Sequence, residues 1–149
     1  MPEQETLERA HEDERQGKSP PTQAGEFVRE EIEHVRKGKH GARSAKQAIA
    51  IGLSKARRAG IKLPAPGRRS SAATRRKAAK DKARGKHPHK PSRRRSRAIG
   101  AALKRESRRS VSRRKLARQA RSSARRRTRS QRSAASGKAA RTRARRRRR

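Results

Sequence analysis

The chain sorts its charge by position, and that sorting argues against one compact globule built from its whole length. Residues 1–33 carry ten Asp/Glu against four Lys/Arg, a local charge of −6. Residues 34–149 carry forty-five Lys/Arg against two acids, Asp81 and Glu106, a local charge of +43. From residue 65 onward, thirty-six bases and two acids share 85 residues drawn mostly from Arg, Lys, Ser and Ala. Such a segment repels itself at folded distances. An external polyanion condenses it, and nucleic acid is the abundant one in a cell. Only 27% of residues are hydrophobic and 41% are charged, so little apolar burial offsets the entropy of ordering the chain. The fold class expected is mainly α: a small helix–loop–helix hairpin followed by a long disordered, conditionally helical Arg/Lys-rich tail. Ala and Arg are good helix formers, so segments 72–84 and 96–127 are expected to turn helical once their charge is neutralised.

The large apolar residues that could build a core are Phe27, Val28, Ile32, Val35, Ile49, Ile51, Leu53, Ile61 and Leu63. That set supports a mini-core, marginal on its own. Val28, Ile32 and Val35 recur at helical spacing and predict a helix over 26–37, with acids in its first turns, Arg36 and Lys37 in its last, and Gly38 as its stop. Residues 1–16 read as a polar helix without an apolar face, either a solvated tail or a loose counterion for the basic tail. Gly17–Gly25 reads as a linker broken by Pro20 and Pro21. Ser44 and Gln47 have capping-box spacing. Ala45, Ala48, Ile49, Gly52, Leu53 and Ala56 then form one helical stripe of mostly small residues. Gly60 ends that helix, with Ile61 placed to close a Schellman contact, and Pro64 and Pro66 prevent continuation. The divisions are 1–25, an acidic segment and linker; 26–63, the hairpin; and 64–149, the low-complexity tail. Ala48, Ile49 and Leu53 are echoed by Ala98, Ile99 and Leu103, which hints at a further helix from about residue 97.

The stretch from Glu26 to Gly60 resembles a small uncharacterised bacterial domain-of-unknown-function family. Its phrase K-Q-A-I-A-I-x-L-S-x-A-R stands here as Lys46, Gln47, Ala48, Ile49, Ala50, Ile51, Gly52, Leu53, Ser54, Lys55, Ala56 and Arg57. The resemblance implies a bacterial source and a helical hairpin, with members that often continue into Lys/Arg/Ala-rich tails. It implies no established activity and no catalytic residues. The tail is similar by composition to histone-H1-like and protamine-like chains.

The function expected is histone-like, non-sequence-specific binding of DNA by phosphate neutralisation, compacting or bridging duplexes. Arginine favours bidentate phosphate contacts. The candidate nucleic-acid contacts in the tail are Arg93, Arg94, Arg95, Arg108, Arg109, Arg113, Arg114, Arg125, Arg126, Arg127, Arg145, Arg146, Arg147, Arg148 and Arg149. A second candidate is the loop 37–44, where backbone N–H groups and a helix N-terminus favour an anion held by Lys39, Arg43, Ser44 and Lys46. Arg57 and Arg58, with Lys46, Gln47 and Lys55, are read as the exposed face that residues 44–58 would turn to a groove if the hairpin is a degenerate helix-turn-helix. The alternatives are an RNA- or ribosome-associated binder, and an adaptor whose hairpin holds a protein partner or a second copy through Ala45, Ala48, Ile49, Gly52, Leu53 and Ala56. Ser70, Ser96, Ser110 and Ser112 beside arginines are candidate phosphate acceptors that would weaken binding.

Other classes have little to stand on. The chain has no cysteine, Trp or Tyr and a single Phe, so disulfides, thiolate metal sites and base-stacking platforms are excluded. No apolar run approaches the roughly 20 residues that span a bilayer. The acidic N-terminus lacks the apolar core of a secretory signal, and a cytoplasmic, nucleoid-associated location is expected. Of five histidines only His87 and His89 are close in sequence, and the pair lacks the company a metal needs. Glu30, Glu33 and His34 are read as sharing a solvated helix face without a nucleophile. Neither a metal, a cofactor nor an enzymatic activity is expected.

Overall fold

The computed structural model describes residues 2–67, 70–88 and 90–148. They form seven α-helices and one 3₁₀ turn, with no strand among the described residues: α1 (Gln4–Arg15), α2 (Pro20–Arg36), α3 (Ala45–Arg58), α4 (Ala72–Lys86), α5 (Arg93–Lys104), η1 (Arg108–Val111), α6 (Arg113–Arg125) and α7 (Arg129–Arg147). The chain divides into two compact units, the first ending at Ser112 and the second beginning at Arg113.

The α2–α3 hairpin is the centre of the first unit. Helix α3 starts where its cap predicts: Ser44 Oγ accepts the Gln47 N–H at 3.2 Å. In return the Arg43 N–H, one residue ahead of the cap, donates to Gln47 Oε1 at 2.6 Å. Gly60 takes φ 92°, the left-handed conformation that glycine adopts without a Cβ penalty. The Ile61 N–H then reaches the Ala56 carbonyl at 3.1 Å, and Ile61 is buried against Ala56 in the core. This is the Schellman closure anticipated from Gly60 and Ile61.

Helix α2 begins six residues before the predicted position. Pro20 and Pro21 open it rather than break what precedes it. Proline lacks an N–H that the first turn does not use, and its φ is already helical. The extra turns bury Gln23 and Ala24 beside Phe27.

Helix α1 also departs from expectation. Thr6, Ala10 and Asp13 recur at helical spacing and are buried, so this acidic segment has an inward face after all. It packs on α2, and Ala10, Ala24, Phe27, Ala56 and Ile61 form the core, flanked by Leu7, Leu53, Ala59 and Leu63. Phe27 and Ile61 are the large side chains in that cluster, and Phe27 is the only aromatic. Its burial contributes about 2–3 kcal/mol, against roughly 0.8 for each alanine methyl.

The small-residue stripe explains how closely α2 and α3 approach. A Cβ on Gly52 would lie 2.7 Å from Val28 Cα and 2.9 Å from the Phe27 carbonyl oxygen. Ala45, Ala48, Gly52 and Ala56 are buried, and Ile49 and Leu53 are half-buried. The stripe is thus turned to α2 of its own chain, and a second chain would reach those buried positions only by displacing α2.

The expected disordered tail is not supported, because the chain beyond residue 64 is largely helical. Local chemistry supplies the reason. Ser71 Oγ accepts the Thr74 N–H at 3.1 Å at the head of α4. At the head of α7, Thr128 and Gln131 form a reciprocal capping box, and the intervening residues are strong helix formers. Helix α4 packs on α3, and η1 against α2 and α3. Helix α5 covers the echoed segment from residue 97, but its Ile99 stays 60% exposed, so the echo is not a second core.

Candidate nucleic-acid interface

Within the second unit, α6 carries an ordered array of cations. Arg114, Arg118, Arg121 and Arg125 recur at i, i+4, i+7 and i+11, and with Ser122 and Arg126 they line one groove. At about 1.5 Å rise per residue this row runs for roughly 16 Å along the helix. Like charges at i and i+4 destabilise a helix by a few tenths of a kcal/mol per pair, so an anion along this face strengthens the helix that presents it. Arg118 and Arg121 were not singled out from the sequence. The arginine runs of the sequence point to Arg113, Arg114, Arg125, Arg126 and Arg127, of which Arg114, Arg125 and Arg126 line this groove, and Arg118 and Arg121 join them through the helical period.

The other tail candidates are placed less uniformly. Arg93, Arg94 and Arg95 are exposed in the first turn of α5, where the helix dipole disfavours cations and favours a bound anion beside them. Arg108 and Arg109 are exposed on η1, and Arg127 follows α6. Arg145, Arg146 and Arg147 lie in the last turn of α7, with Arg148 as its C-cap. Arg149 lies outside the described residues. Among the candidate phosphate acceptors, Ser110 is 1% exposed, so a kinase would not reach it in this conformation.

The loop 37–44 is less open to an anion than its sequence suggests, because its donors are already engaged. The Lys39 N–H goes to the His34 carbonyl at 2.9 Å, the Gly41 N–H to Leu103 at 2.8 Å, and the Ala42 N–H to Ser107 at 3.2 Å. A Cβ on Gly41 would fall 1.8 Å from the Glu106 carbonyl oxygen, which shows how tightly segment 103–107 is seated on the loop. Lys39 Nζ is bound to Glu3 at 2.6 Å. Arg43 lies 3.7 Å from Glu106 but is 81% exposed. Ser44 is the cap of α3, and Lys46 is exposed. Arg57 and Arg58 turn back toward the carbonyls of Leu53 and Ser54, at 3.5 and 3.2 Å.

A second cluster lies between α1, α2 and α3. Glu30 and Glu31, read from the sequence as ordinary first-turn acids, are 5% and 1% exposed. Lys55 Nζ, itself partly buried, meets Glu30 Oε1 at 2.7 Å and Glu31 Oε2 at 2.9 Å. Burial alone would push the Lys55 ammonium down, but its bonds to Glu30 and Glu31 outweigh that and raise it. Burial likewise pushes the Glu30 carboxyl up, and Lys55, the Glu3 N–H and Thr6 together bring it below its ordinary value. Glu3 is held at about 2 by hydrogen bonds from Lys39 and His34. The acidic N-terminal segment therefore docks on the hairpin through named bonds. His40 comes from the loop to within 3.3 Å of Glu31 Oε1. His34 does not sit on a solvated face: its side chain is 12% exposed.

The two acids of the basic half each anchor it. Asp81, 1% exposed, accepts from Ser54 Oγ at 2.6 Å and from Lys77 Nζ at 3.0 and 3.1 Å. Glu106 contributes its backbone to the seat on Gly41 and its carboxylate to Arg43.

Among the described residues no helix is long and apolar enough to cross a membrane. No curated protein and no solved structure matches the chain. Residues 21–66, which hold most of α2, the loop, α3 and the turn beyond it, match a family of unknown function (DUF6496), and that segment is about a third of the chain.

Proposed function

We propose that this chain is a non-enzymatic, histone-like protein that binds nucleic-acid backbones, duplex DNA foremost, with little sequence preference. The observation that carries the reading is the row Arg114, Arg118, Arg121 and Arg125 on one face of α6. Four guanidiniums spaced along roughly 16 Å suit a polymer that presents one charge per about 1.7 Å of axis. Guanidinium–phosphate pairing is often bidentate and indifferent to base identity. Arg93, Arg94 and Arg95 at the head of α5 and the arginines closing α7 offer further phosphate contacts, so one chain could bridge or compact duplexes in the nucleoid. Phosphate neutralisation would also reinforce α6 and α7, whose like charges oppose helix formation when free.

Each phosphate neutralised contributes about 0.9 to the slope of log affinity against log salt. Four contacts contribute about 3.6, or roughly a hundredfold in affinity across a fourfold rise in salt. Replacing Arg114, Arg118, Arg121 and Arg125 with glutamine should remove that share, read by fluorescence anisotropy on a labelled duplex over a salt series. An unchanged slope would remove α6 from the interface. Competition with structured RNA in the same assay decides between DNA and an RNA-associated role.

A further inference from the structure

Glu31, His34 and His40 converge. One potential ligand atom from each lies within 4.8 Å of the other two. Glu31 and His34 are three apart on α2, which places them on the same side of the helix. His40 arrives from the loop that leads into α3, and its ring stands 6.1 Å from that of His34, nearly perpendicular to it.

The hydrogen bonds fix how the rings are presented. His34 Nε2 lies 2.9 Å from Glu3 Oε1. A carboxylate only accepts, so Nε2 carries a proton and Nδ1 of a neutral ring keeps its lone pair. His40 Nδ1 lies 3.0 Å from the Gly41 carbonyl, which likewise only accepts, so the lone pair of a neutral His40 is on Nε2. That lone pair faces Glu31 Oε1 at 3.3 Å. Two acceptors opposed at that distance repel unless a cation or a proton sits between them. Glu31 Oε1 has no hydrogen-bond partner among the described residues, while Oε2 is held by Lys55 Nζ at 2.9 Å. With both imidazoles neutral, Glu30 and Glu31 are buried against the single Lys55 ammonium, and His34 Nδ1 also faces a carboxylate, Glu30 Oε1 at 3.9 Å, so one further positive charge balances the cluster.

We propose that Glu31, His34 and His40 form a binding site for a first-row divalent cation, Zn²⁺ above all. The donor set is two imidazole nitrogens and one carboxylate oxygen, which suits Zn²⁺ with one position left for water. Each histidine already has the outer partner that orients a metal-bound ring: the Glu3 carboxylate for His34 and the Gly41 carbonyl for His40. Ligand bonds of about 2.0–2.2 Å would bring the donor atoms to about 3.4 Å apart, from a present spread within 4.8 Å. The ion ties the end of α2 to the loop ahead of α3. A small alanine-rich core is where such a staple contributes most.

The test uses the full chain, stripped with chelator and freed of nucleic acid. Zn²⁺ titration followed by calorimetry should give one ion per chain, with histidine ring NMR signals moving for His34 and His40 but not for His11, His87 or His89. Co²⁺ substituted at the same site should show visible d–d absorption. Glu31→Gln and His40→Ala should each weaken Zn²⁺ binding at least tenfold, while a chain carrying both His87→Ala and His89→Ala keeps it. The ring signals are read on the unaltered chain, so they decide the matter even if a variant unfolds. Absence of Zn²⁺ binding at micromolar concentration would overturn the proposal, leaving a proton on His40 as the missing charge. So would a response confined to His87 and His89.

Discussion

Replacing Asp81 with alanine should free α4 from α3 while the α1–α3 core stays folded. Helix α4 buries two residues, Ala78 and Asp81. The Ala78 methyl contributes roughly 0.8 kcal/mol, too little to hold a 15-residue helix in place. Gly85 packs against the Arg57 carbonyl at the far end of α4, and the main polar tie is Asp81. Its bond from Ser54 Oγ is short at 2.6 Å and buried, and a hydrogen bond to a charged group is worth about 1.5–3 kcal/mol. Lys77 pairs with Asp81 from within α4 itself and does not tie it to α3; the ion-pair partner across the interface is Arg58, 3.9 Å away and 43% exposed, which solvent screening limits to a few tenths of a kcal/mol. Together these give about 2–3 kcal/mol, or roughly 30- to 150-fold in the docking equilibrium. Amide hydrogen exchange reads this directly: residues 72–86 should lose that factor of protection, while 20–36 and 45–58 keep theirs. Asp81→Asn, which retains an acceptor for Ser54, should fall between. Equal protection of α4 in Asp81→Ala and the parent would refute the assignment, and so would a matching loss across α2 and α3.

Gly25→Ala and Gly52→Ala should move thermal stability in opposite directions. Nothing lies within 4 Å of a Cβ at Gly25, so alanine gains up to about 1 kcal/mol of helix propensity there. At Gly52 the Cβ would lie 2.7 Å from Val28 Cα, and overpacking of about 1–3 kcal/mol exceeds the same gain; far-UV circular dichroism melts report both signs. In chelated buffer, Glu3 should make stability depend on acid: its carboxyl is lowered from 4.5 to about 2, so its contribution is complete above pH 4.5 and is lost as pH falls toward 2. Glu3→Gln should flatten that part of the melting profile, and an identical profile would contradict the bond. Lys55 is raised above 10.5, so its contribution is complete below pH 10.5 and fades at higher pH, a loss that Lys55→Met should remove. Replacing Lys39, Arg43 and Lys46 with alanine should lower DNA affinity far less than replacing the α6 arginines, because Lys39 and Arg43 already face acids of the chain; an equal loss in the anisotropy assay would promote the loop.

Helix α3 was legible because its determinants are local. A serine cap, a period of small residues and a glycine stop act within a few positions of one another, and the Ser44 cap, Ala48, Ala56, Gly60 and Ile61 took the expected places. The start of α2 was missed because proline carries two meanings, breaker inside a helix and opener at its first turn, and the choice here follows from α1 lying against the added turns. Glu30 and Glu31 were misread for a different reason. A carboxylate on an amphipathic helix looks solvated until its counterion is located, and Lys55 is 24 or 25 positions away in sequence. The meeting of His34 with His40 and Glu31 spans only three to nine positions, but it depends on the path of the loop after Gly38, which no periodicity encodes. Asp81 and Glu106 stand out in the sequence only as the sole acids of the basic half; their partners Ser54, 27 positions from Asp81, and Arg43, far from Glu106, meet them only through the tertiary fold.

The contacts of the acidic segment also carry an order of assembly. Glu3 is met by His34 and Lys39, and Glu30 and Glu31 by Lys55, so each counterion has been polymerised by residue 55. Translation proceeds from the N-terminus, and early segments fold while later ones are still being made. The neutralising half of the nascent chain can therefore consolidate before the ribosome releases the arginine-rich remainder, and α4 arrives at a surface already built to receive it.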